Sequence, residues 1–166
     1  QAAKYVVDQL GPEDYLSIVI YDGSVNVLQS AIPVRNKSMI KNKIDQIVER
    51  GSTNLMGGAM EGYSQVKQHY NSGYINRVLL LSDGLANQGI TSPSQIENII
   101  RNKNRMDGIS ISTFGVGLDY NEDLMTSIAE NGTGNYYFIG NARDIAGIFE
   151  KELNGLSEVI AQNAEL

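Results

Sequence analysis

The sequence contains no cysteine and a single histidine in 166 residues. Without cysteine the chain has no disulfide bonds and no thiol catalysis, which argues against a redox or thiol site. The one histidine, His69, is not accompanied by a Gly-x-Ser-x-Gly nucleophile motif, so we predict a surface residue rather than the base of a catalytic triad. No apolar run is long enough to span a bilayer, and we expect no direct membrane insertion.

Basic residues are scarce relative to acidic ones. The 13 Lys and Arg against 19 Asp and Glu give a net charge of −6. Because nucleic-acid binding needs a basic face, this balance argues against nucleic acid as a partner. Lys41, Lys43 and Arg50 lie close together in the sequence, but a solvated helix face explains them. The length and the 42% hydrophobic content predict one globular domain over residues 1–166, with a core of its own.

Helix and strand patterns alternate along the chain. Apolar spacing predicts helices near residues 1–10, 40–48, 59–70, 92–100 and 145–156, and strands at 16–21, 25–28, 77–82, 109–114 and 135–139. Asn121, followed by Glu122 and Asp123, predicts the start of a further helix. Asp22-Gly23 predicts a hairpin, so the strand after it should run antiparallel. Ser92 and Gln95 suggest a capping box around Pro93. We therefore predict an α/β fold, with a doubly wound, mostly parallel sheet, one antiparallel edge hairpin and helices on both faces.

Two oxygen-rich loops stand out against this background. Ser82-Asp83-Gly84 directly follows the apolar run 78–81, which places a carboxylate at the carboxyl end of a buried strand, where open α/β sheets hold their ligands. Residues 51–54 (Gly-Ser-Thr-Asn) precede another helix. These hard oxygen donors predict a divalent-cation site. The alternative is structural: Asp83 is then a turn residue, and Ser52 or Thr53 caps the following helix.

Several segments also occur in a recognisable order. They are residues 8–14 (DQLGPED), 16–22 (LSIVIYD), 51–55 (GSTNL), 78–84 (VLLLSDG), 111–117 (ISTFGVG) and 134–138 (GNYYF). Together they resemble the von Willebrand factor type A domain over essentially the whole chain. The details are similar to bacterial members of the calcium-activated chloride channel and inter-alpha-trypsin-inhibitor heavy-chain branch. The resemblance implies a Rossmann-like fold and a non-enzymatic role in protein interaction or adhesion.

In that family a metal-ion-dependent adhesion site combines an Asp-x-Ser-x-Ser loop, a threonine and an aspartate. The resemblance assigns the threonine to Thr53 and the aspartate to Asp83, with Ser52 as a further candidate. The Asp-x-Ser-x-Ser loop has no counterpart here, and residues 22–24 (Asp-Gly-Ser) belong to the hairpin. We therefore expect Mg²⁺ or Mn²⁺ to bind the intact parent, and to bind this chain weakly or not at all. The implied partner is a protein whose acidic side chain completes the metal coordination.

The resemblance also implies that a first strand is missing from the middle of the sheet. That strand would lie between strands 16–21 and 77–82. Either those two strands meet directly, or a strand of another chain fills the gap, as in a strand-swapped homo-oligomer. A segment trimmed from a longer protein is the plain alternative. For the parent, the resemblance favours an extracytoplasmic or membrane-tethered location.

Other functions compete with cation-dependent adhesion. One is a metal-independent scaffold that joins a larger assembly through helix or edge-strand surfaces. Another is a Mg²⁺-dependent hydrolase, for which we find no nucleophile or base near Asp83. Gly115 and Gly117 form half of a dinucleotide motif, and a helix-entry turn explains them better. The acidic residues 119, 122 and 123 suggest a second cation site, which helix capping and dipole effects explain more simply.

Overall fold

The computed structural model describes residues 2–48 and 51–162, and the side chains of residues 2–48 and 51–155. Arg50, named above with Lys41 and Lys43, lies outside these ranges. The side chain of Leu156, the last residue of the predicted helix 145–156, also lies outside them. In chain order the elements are α1 (Ala2–Gln9), β1 (Tyr15–Tyr21), β2 (Val25–Pro33), α2 (Lys37–Ile44), α3 (Leu55–Lys67), β3 (Arg77–Ser82), α4 (Pro93–Asp107), β4 (Ser110–Val116), α5 (Glu122–Asn131), β5 (Tyr136–Ile139) and α6 (Ile145–Gln162). The described chain includes no helix both long and apolar enough to cross a membrane.

The strands form two separate ladders. β1 pairs with β2 antiparallel, and β3, β4 and β5 pair in parallel with β4 in the centre. The predicted hairpin is confirmed: Asp22 N–H donates to the carbonyl of Ser24 at 2.9 Å, and Ser24 N–H donates to the Asp22 carboxylate at 2.7 Å. Among the described residues no strand-to-strand pairing joins β1 to β3. Direct meeting of these two strands, one of the alternatives that the resemblance left open, is therefore not seen.

Helices cover both faces of the parallel strands, as predicted. On one face α3, α4 and α5 pack on β3 and β4 around a core that includes Tyr63, Ile100, Ile111 and Ile128. On the other face α1 and α6 cover Phe114, whose ring stacks on Phe149 at a centroid distance of 4.4 Å. A third cluster lies between α1, α2 and the hairpin. With both faces covered, β4 is buried from Ile111 to Gly115, and its polar residues Ser112 and Thr113 are buried too.

Helix ends follow the predicted chemistry at some positions and not at others. Asn121 caps α5 as expected, because its side chain accepts from Leu124 N–H at 3.0 Å. Ser92 occupies the N-cap position of α4, but the predicted capping box is wrong, since the Ser92 side chain makes no capping bond. Its hydroxyl lies 3.3 Å from that of Ser94 instead. At the other end of α4, Gly108 takes φ = 65°, a left-handed conformation that favours glycine.

Candidate functional site

The loop after β3 and the loop before α3 meet at the carboxyl end of the parallel strands. Thr53 and Asp83 line one cavity of about 370 Å³, and Ser52 lines it as well. The threonine hydroxyl lies next to residue 84, because a Cβ built on Gly84 would be 3.2 Å from Thr53 Oγ1. Asp83 is exposed, whereas Ser52 and Thr53 are half-buried. The side chains that the sequence singled out therefore share one site.

Thr53 is fixed through its main chain by the opposite loop. Its N–H donates to Asn87 Oδ1 at 2.9 Å, and its carbonyl accepts from the N–H groups of Asn87 and Gln88 at 3.2 and 3.3 Å. These bonds leave the Thr53 hydroxyl out of the backbone pairing and hold it beside the β3 loop. Asn87 is thus a positioning residue that sequence reasoning missed. It lies 34 positions from Thr53 and has no local signal that marks it.

The helix after the threonine loop is capped by Asn54. Its side chain accepts from Gly57 N–H at 3.0 Å, which satisfies one of the free donors of the first turn. The alternative in which Ser52 or Thr53 caps α3 is therefore wrong. Both hydroxyls remain at the cavity, where oxygen donors are useful to a cation.

The hairpin turn forms another wall of the site. Asn54 N–H donates to the main-chain carbonyl of Asp22 at 2.8 Å, so the turn and the threonine loop are joined. A Cβ added at Gly23 would lie 2.8 Å from Ser52 Oγ, so the hairpin turn and the serine are close neighbours. Asp22 lines the same cavity, and its carboxylate accepts from Ser24 N–H and Oγ. Residues 22–24 belong to the hairpin as predicted, and they also border the site.

A tyrosine supports the floor of the site. Tyr21, the last residue of β1, donates its phenolic hydrogen to the main-chain carbonyl of Leu81 in β3. Burial, with a smaller contribution from the charge of Asp83, raises the pKa of Tyr21 well above its ordinary value despite a hydrogen bond with Ser82. The phenol therefore stays protonated and remains a donor to β3, the strand that ends directly before Asp83.

The donor set at this edge consists of oxygens. Hydroxyl and carboxylate oxygens are the ligands that Mg²⁺ and Mn²⁺ prefer. The described residues contain no group of three or more His, Cys, Asp or Glu side chains arranged to hold a metal. Glu122 and Asp123 lie in the first turn of α5, where negative charge complements the helix dipole. Thr53, Asp83 and Ser52 thus fit a hard cation in kind but are few in number.

His69 lies away from this edge. It is exposed, follows the end of α3, and its ring stacks on Tyr15 with a centroid distance of 4.4 Å. The predicted surface position is confirmed, although the residue lies in a turn rather than in the helix. The histidine therefore belongs to a surface ring pair.

Comparisons with known proteins bear on this arrangement. The sequence pattern of the von Willebrand factor type A domain matches residues 1–151. The chain is 34% identical to the uncharacterized protein YfbK of Escherichia coli (strain K12), over 98% of this chain and 28% of the relative. It is 25% identical to inter-alpha-trypsin inhibitor heavy chain H2 of Mesocricetus auratus, over 99% of this chain and 18% of the relative. The chain thus spans less than a third of the length of these relatives.

A solved structure shows the same fold. Proximal thread matrix protein 1 from the mussel byssus, described with a zinc-occupied MIDAS motif, superimposes with a TM-score of 0.71. It is 16% identical, and the match covers 90% of this chain and 40% of that one. At this identity the likeness concerns the fold alone, and it agrees with the α/β architecture predicted from the sequence.

Proposed function

The chain belongs to the von Willebrand factor type A family, a family of protein-interaction modules, and we propose that it binds a protein partner at the carboxyl end of its parallel strands. One observation carries the proposal: Asn87 holds the main chain of Thr53 against the loop that follows Asp83. The threonine hydroxyl and the aspartate consequently line a single cavity. A pair of loops tied together in this way presents its polar groups in a fixed arrangement, which lowers the entropic cost of binding.

The partner contact is proposed to depend on a divalent cation. Thr53 and Asp83 would hold Mg²⁺ or Mn²⁺, with Ser52 as a third oxygen donor. Mg²⁺ takes about six oxygens in octahedral geometry and usually keeps several waters. A site with so few protein ligands leaves positions open, and an acidic side chain of the partner would complete the coordination. The same shortage of ligands makes the affinity of this chain for the free ion low.

A metal-independent scaffold is the second candidate. Exposed apolar side chains surround the same edge of the strands: Leu85 is 58% exposed, Leu118 is 88% exposed and Phe138 is 46% exposed. Such side chains favour docking without a cation. Substitution of Leu118 by serine would then weaken assembly in the presence of chelator, whereas a cation-dependent contact would already be absent under those conditions.

We propose no catalytic role. Exposed His69 is engaged with Tyr15 and lines a different cavity from Asp83. A hydrolase at Asp83 would need a base or nucleophile within hydrogen-bond reach of the reacting group. Turnover of a generic phosphate ester with Mg²⁺, lost in Asp83→Asn, would contradict this part of the proposal.

Mn²⁺ titration followed by NMR tests the cation site even when binding is weak. The paramagnetic ion broadens the signals of nuclei close to it, and we expect broadening in residues 52–54 and 83–84, reversed by excess Mg²⁺. Asp83→Ala should remove it. Asp119→Ala, which deletes an aspartate of the neighbouring loop and changes the net charge equally, should leave it unchanged. Broadening centred on residues 119–123, or insensitive to Asp83→Ala, would refute the assignment.

A further inference from the structure

Two tyrosine hydroxyls meet beside the parallel strands, apart from the candidate site. Tyr120 lies in the loop between β4 and α5, and Tyr136 is the first residue of β5. Their hydroxyl oxygens are 2.5 Å apart, and both side chains are half-buried. Neither residue lines the cavity that contains Thr53 and Asp83. The tyrosine pair is therefore separate from the site formed by the threonine and the aspartate.

The strands fix the position of both rings. Tyr136 pairs in register with Thr113 of β4, and Phe138 pairs with Gly115, so β5 lies directly beside the central strand. The ring of Tyr120 covers Gly115, because a Cβ added there would lie 2.2 Å from ring atoms. The same ring stacks on Phe138 with a centroid distance of 6.3 Å. A glycine in the central strand thus leaves room for Tyr120 and allows its hydroxyl to reach that of Tyr136.

A carboxylate adjoins the tyrosine pair. Glu122, in the first turn of α5, is in hydrogen-bonding contact with the hydroxyl of Tyr136. Glu122 is exposed, and so are Asp119 and Asp123 in the same segment. Exposed negative charges of this kind raise the local concentration of cations. One of the acidic residues that suggested a second cation site therefore has two phenol oxygens beside it, which sequence reasoning missed.

The protons of the phenols determine which ion can bind. Burial raises the pKa of Tyr136 well above its ordinary value, and Tyr120 and Glu122 raise it further. The phenol is therefore neutral at pH 7, and an ion must displace its proton. Because Coulomb attraction grows with the charge of the ion, a trivalent ion displaces this proton far better than Mg²⁺ or Mn²⁺ does. Tyrosine is an established ligand of iron in proteins, as in the haem site of catalase.

The spacing of the hydroxyls suits two neighbouring positions of an octahedral ion. With metal–oxygen bonds of about 2.0–2.1 Å, adjacent ligand oxygens of an octahedron are about 2.8–3.0 Å apart. The two hydroxyl oxygens are 2.5 Å apart, so they need to separate by only about 0.3–0.5 Å. Displacement of the hydrogen that they share favours this separation, since it removes the bond that holds the oxygens together.

We propose that Tyr120 and Tyr136 bind Fe³⁺ as adjacent phenolate ligands, with Glu122 as a third oxygen donor. Each phenol releases its proton to solvent on binding, and the ion stays ferric throughout. Water or a small chelator fills the remaining coordination positions. This iron site is independent of Thr53 and Asp83, for which a divalent ion is proposed.

Fe³⁺ supplied as its nitrilotriacetate complex tests the proposal on the 166-residue chain. The chelator uses four coordination positions and leaves two adjacent ones free for the phenolates. Tyrosinate bound to Fe³⁺ produces a charge-transfer band in the visible spectrum, which the complex alone does not have. We expect this band to saturate at one iron per chain. Tyr120→Phe and Tyr136→Phe, which keep the rings, should each weaken binding by about tenfold or more.

Three control variants separate this site from nonspecific binding and from the divalent-cation site. Tyr70→Phe removes the hydroxyl of a tyrosine that is 44% exposed elsewhere on the surface, and it should leave the band and the affinity unchanged. Asp83→Ala should also leave them unchanged. Glu122→Gln should weaken binding but keep the band, because both phenols remain.

Several results would overturn the proposal. Absence of the band in the parent chain would do so, as would an undiminished band in the Tyr120→Phe, Tyr136→Phe double variant. An equal loss in Tyr70→Phe would show binding to tyrosines in general. Ga³⁺, a diamagnetic ion of the same charge, gives a second measurement without substitutions: NMR signals of residues 120 and 136 should shift, and shifts confined to other residues would refute the assignment. Failure of the iron site leaves the divalent-cation site intact, because the Mn²⁺ experiment uses no Fe³⁺.

Discussion

Arg77 Nη1 donates a 2.8 Å hydrogen bond to Oε1 of Glu152, an ion pair that ties the first residue of β3 to α6. Glu152 is only 1% exposed, so the pair lies inside the protein. The same carboxylate accepts from Ser112 Oγ at 2.5 Å, and from Asn135 and Tyr137 at 2.9 Å each. One acidic side chain thus connects all three parallel strands to the last helix.

This network predicts a specific dependence of stability on pH. Burial by itself would raise the pKa of Glu152, but hydrogen bonds from Ser112, Asn135 and Arg77 together lower it below its ordinary value of 4.5. A carboxyl whose pKa is lower in the folded state stabilises the fold above the unfolded pKa and ceases to do so as pH falls through the folded one. We expect the free energy of unfolding in urea to decline below pH 4.5.

Glu152→Gln should lower the free energy of unfolding at pH 7 by about 3 kcal/mol, because the Arg77 guanidinium loses its buried counter-charge. The variant should also show a smaller decline at acid pH. Glu150→Gln, on an exposed position of the same helix, is the matched control and should behave like the parent. An equal decrease in the free energy of unfolding in the two variants would show that the Arg77–Glu152 ion pair does not contribute specifically to stability.

Asn87→Ala removes the side-chain acceptor for Thr53 N–H while leaving the two main-chain bonds to the threonine carbonyl. Loss of a hydrogen bond of this kind costs about 1 kcal/mol. We expect faster hydrogen exchange at the Thr53 amide and weaker Mn²⁺ broadening at Asp83. Gln88→Ala, which keeps its main-chain bond to Thr53, should change neither measurement. A Thr53 amide that exchanges as slowly in Asn87→Ala as in the parent would argue against the clamp.

Asn54→Ala should cost about 1 kcal/mol of stability, as expected for loss of an N-cap side chain. Asn54→Asp should restore most of it, since aspartate caps comparably well. Ser52→Ala provides the contrast: its hydroxyl does not cap α3, so stability in urea should stay within about 0.5 kcal/mol of the parent. A larger loss in Ser52→Ala would reinstate the serine as a capping residue.

Gly134→Ala should be strongly destabilising. A Cβ at this position would lie 2.0 Å from the main-chain oxygen of Ile111, and backbone cannot move aside as a flexible side chain does. The loss should be about 1–3 kcal/mol or more. Gly147→Ala is the control within α6, where the added methyl meets nothing within 4 Å. Because alanine favours helix, that variant should be more stable by up to about 1 kcal/mol in urea unfolding.

The sequence predicted the features that depend on local pattern. Asp22-Gly23 marked the hairpin, and the apolar run before Ser82 marked the buried strand β3. The Thr53 and Asp83 assignments came from a resemblance between segments, and the structure places both residues at one cavity. Their role as metal ligands stays a prediction.

Long-range contacts were beyond the reach of pattern. The bond between Asn87 and Thr53 spans 34 residues, and the bond between Arg77 and Glu152 spans 75. Neither bond changes the hydrophobic periodicity of the segments that it joins, so periodicity could not predict either bond. Asn54 was overlooked as a cap because serine and threonine beside it are equally good capping residues, and only the chain geometry decides among them.

The division of the strands into two ladders has a mechanical consequence. α3 packs on β1, β2 and β3, and so bridges the hairpin and the parallel strands through side-chain contacts. In the described chain no ladder of strand hydrogen bonds crosses the same boundary. A pulling force between the two parts would therefore be resisted by helix packing and loop contacts rather than by shear of many parallel bonds. The seam between β1 and β3 is where the domain should yield first under tension.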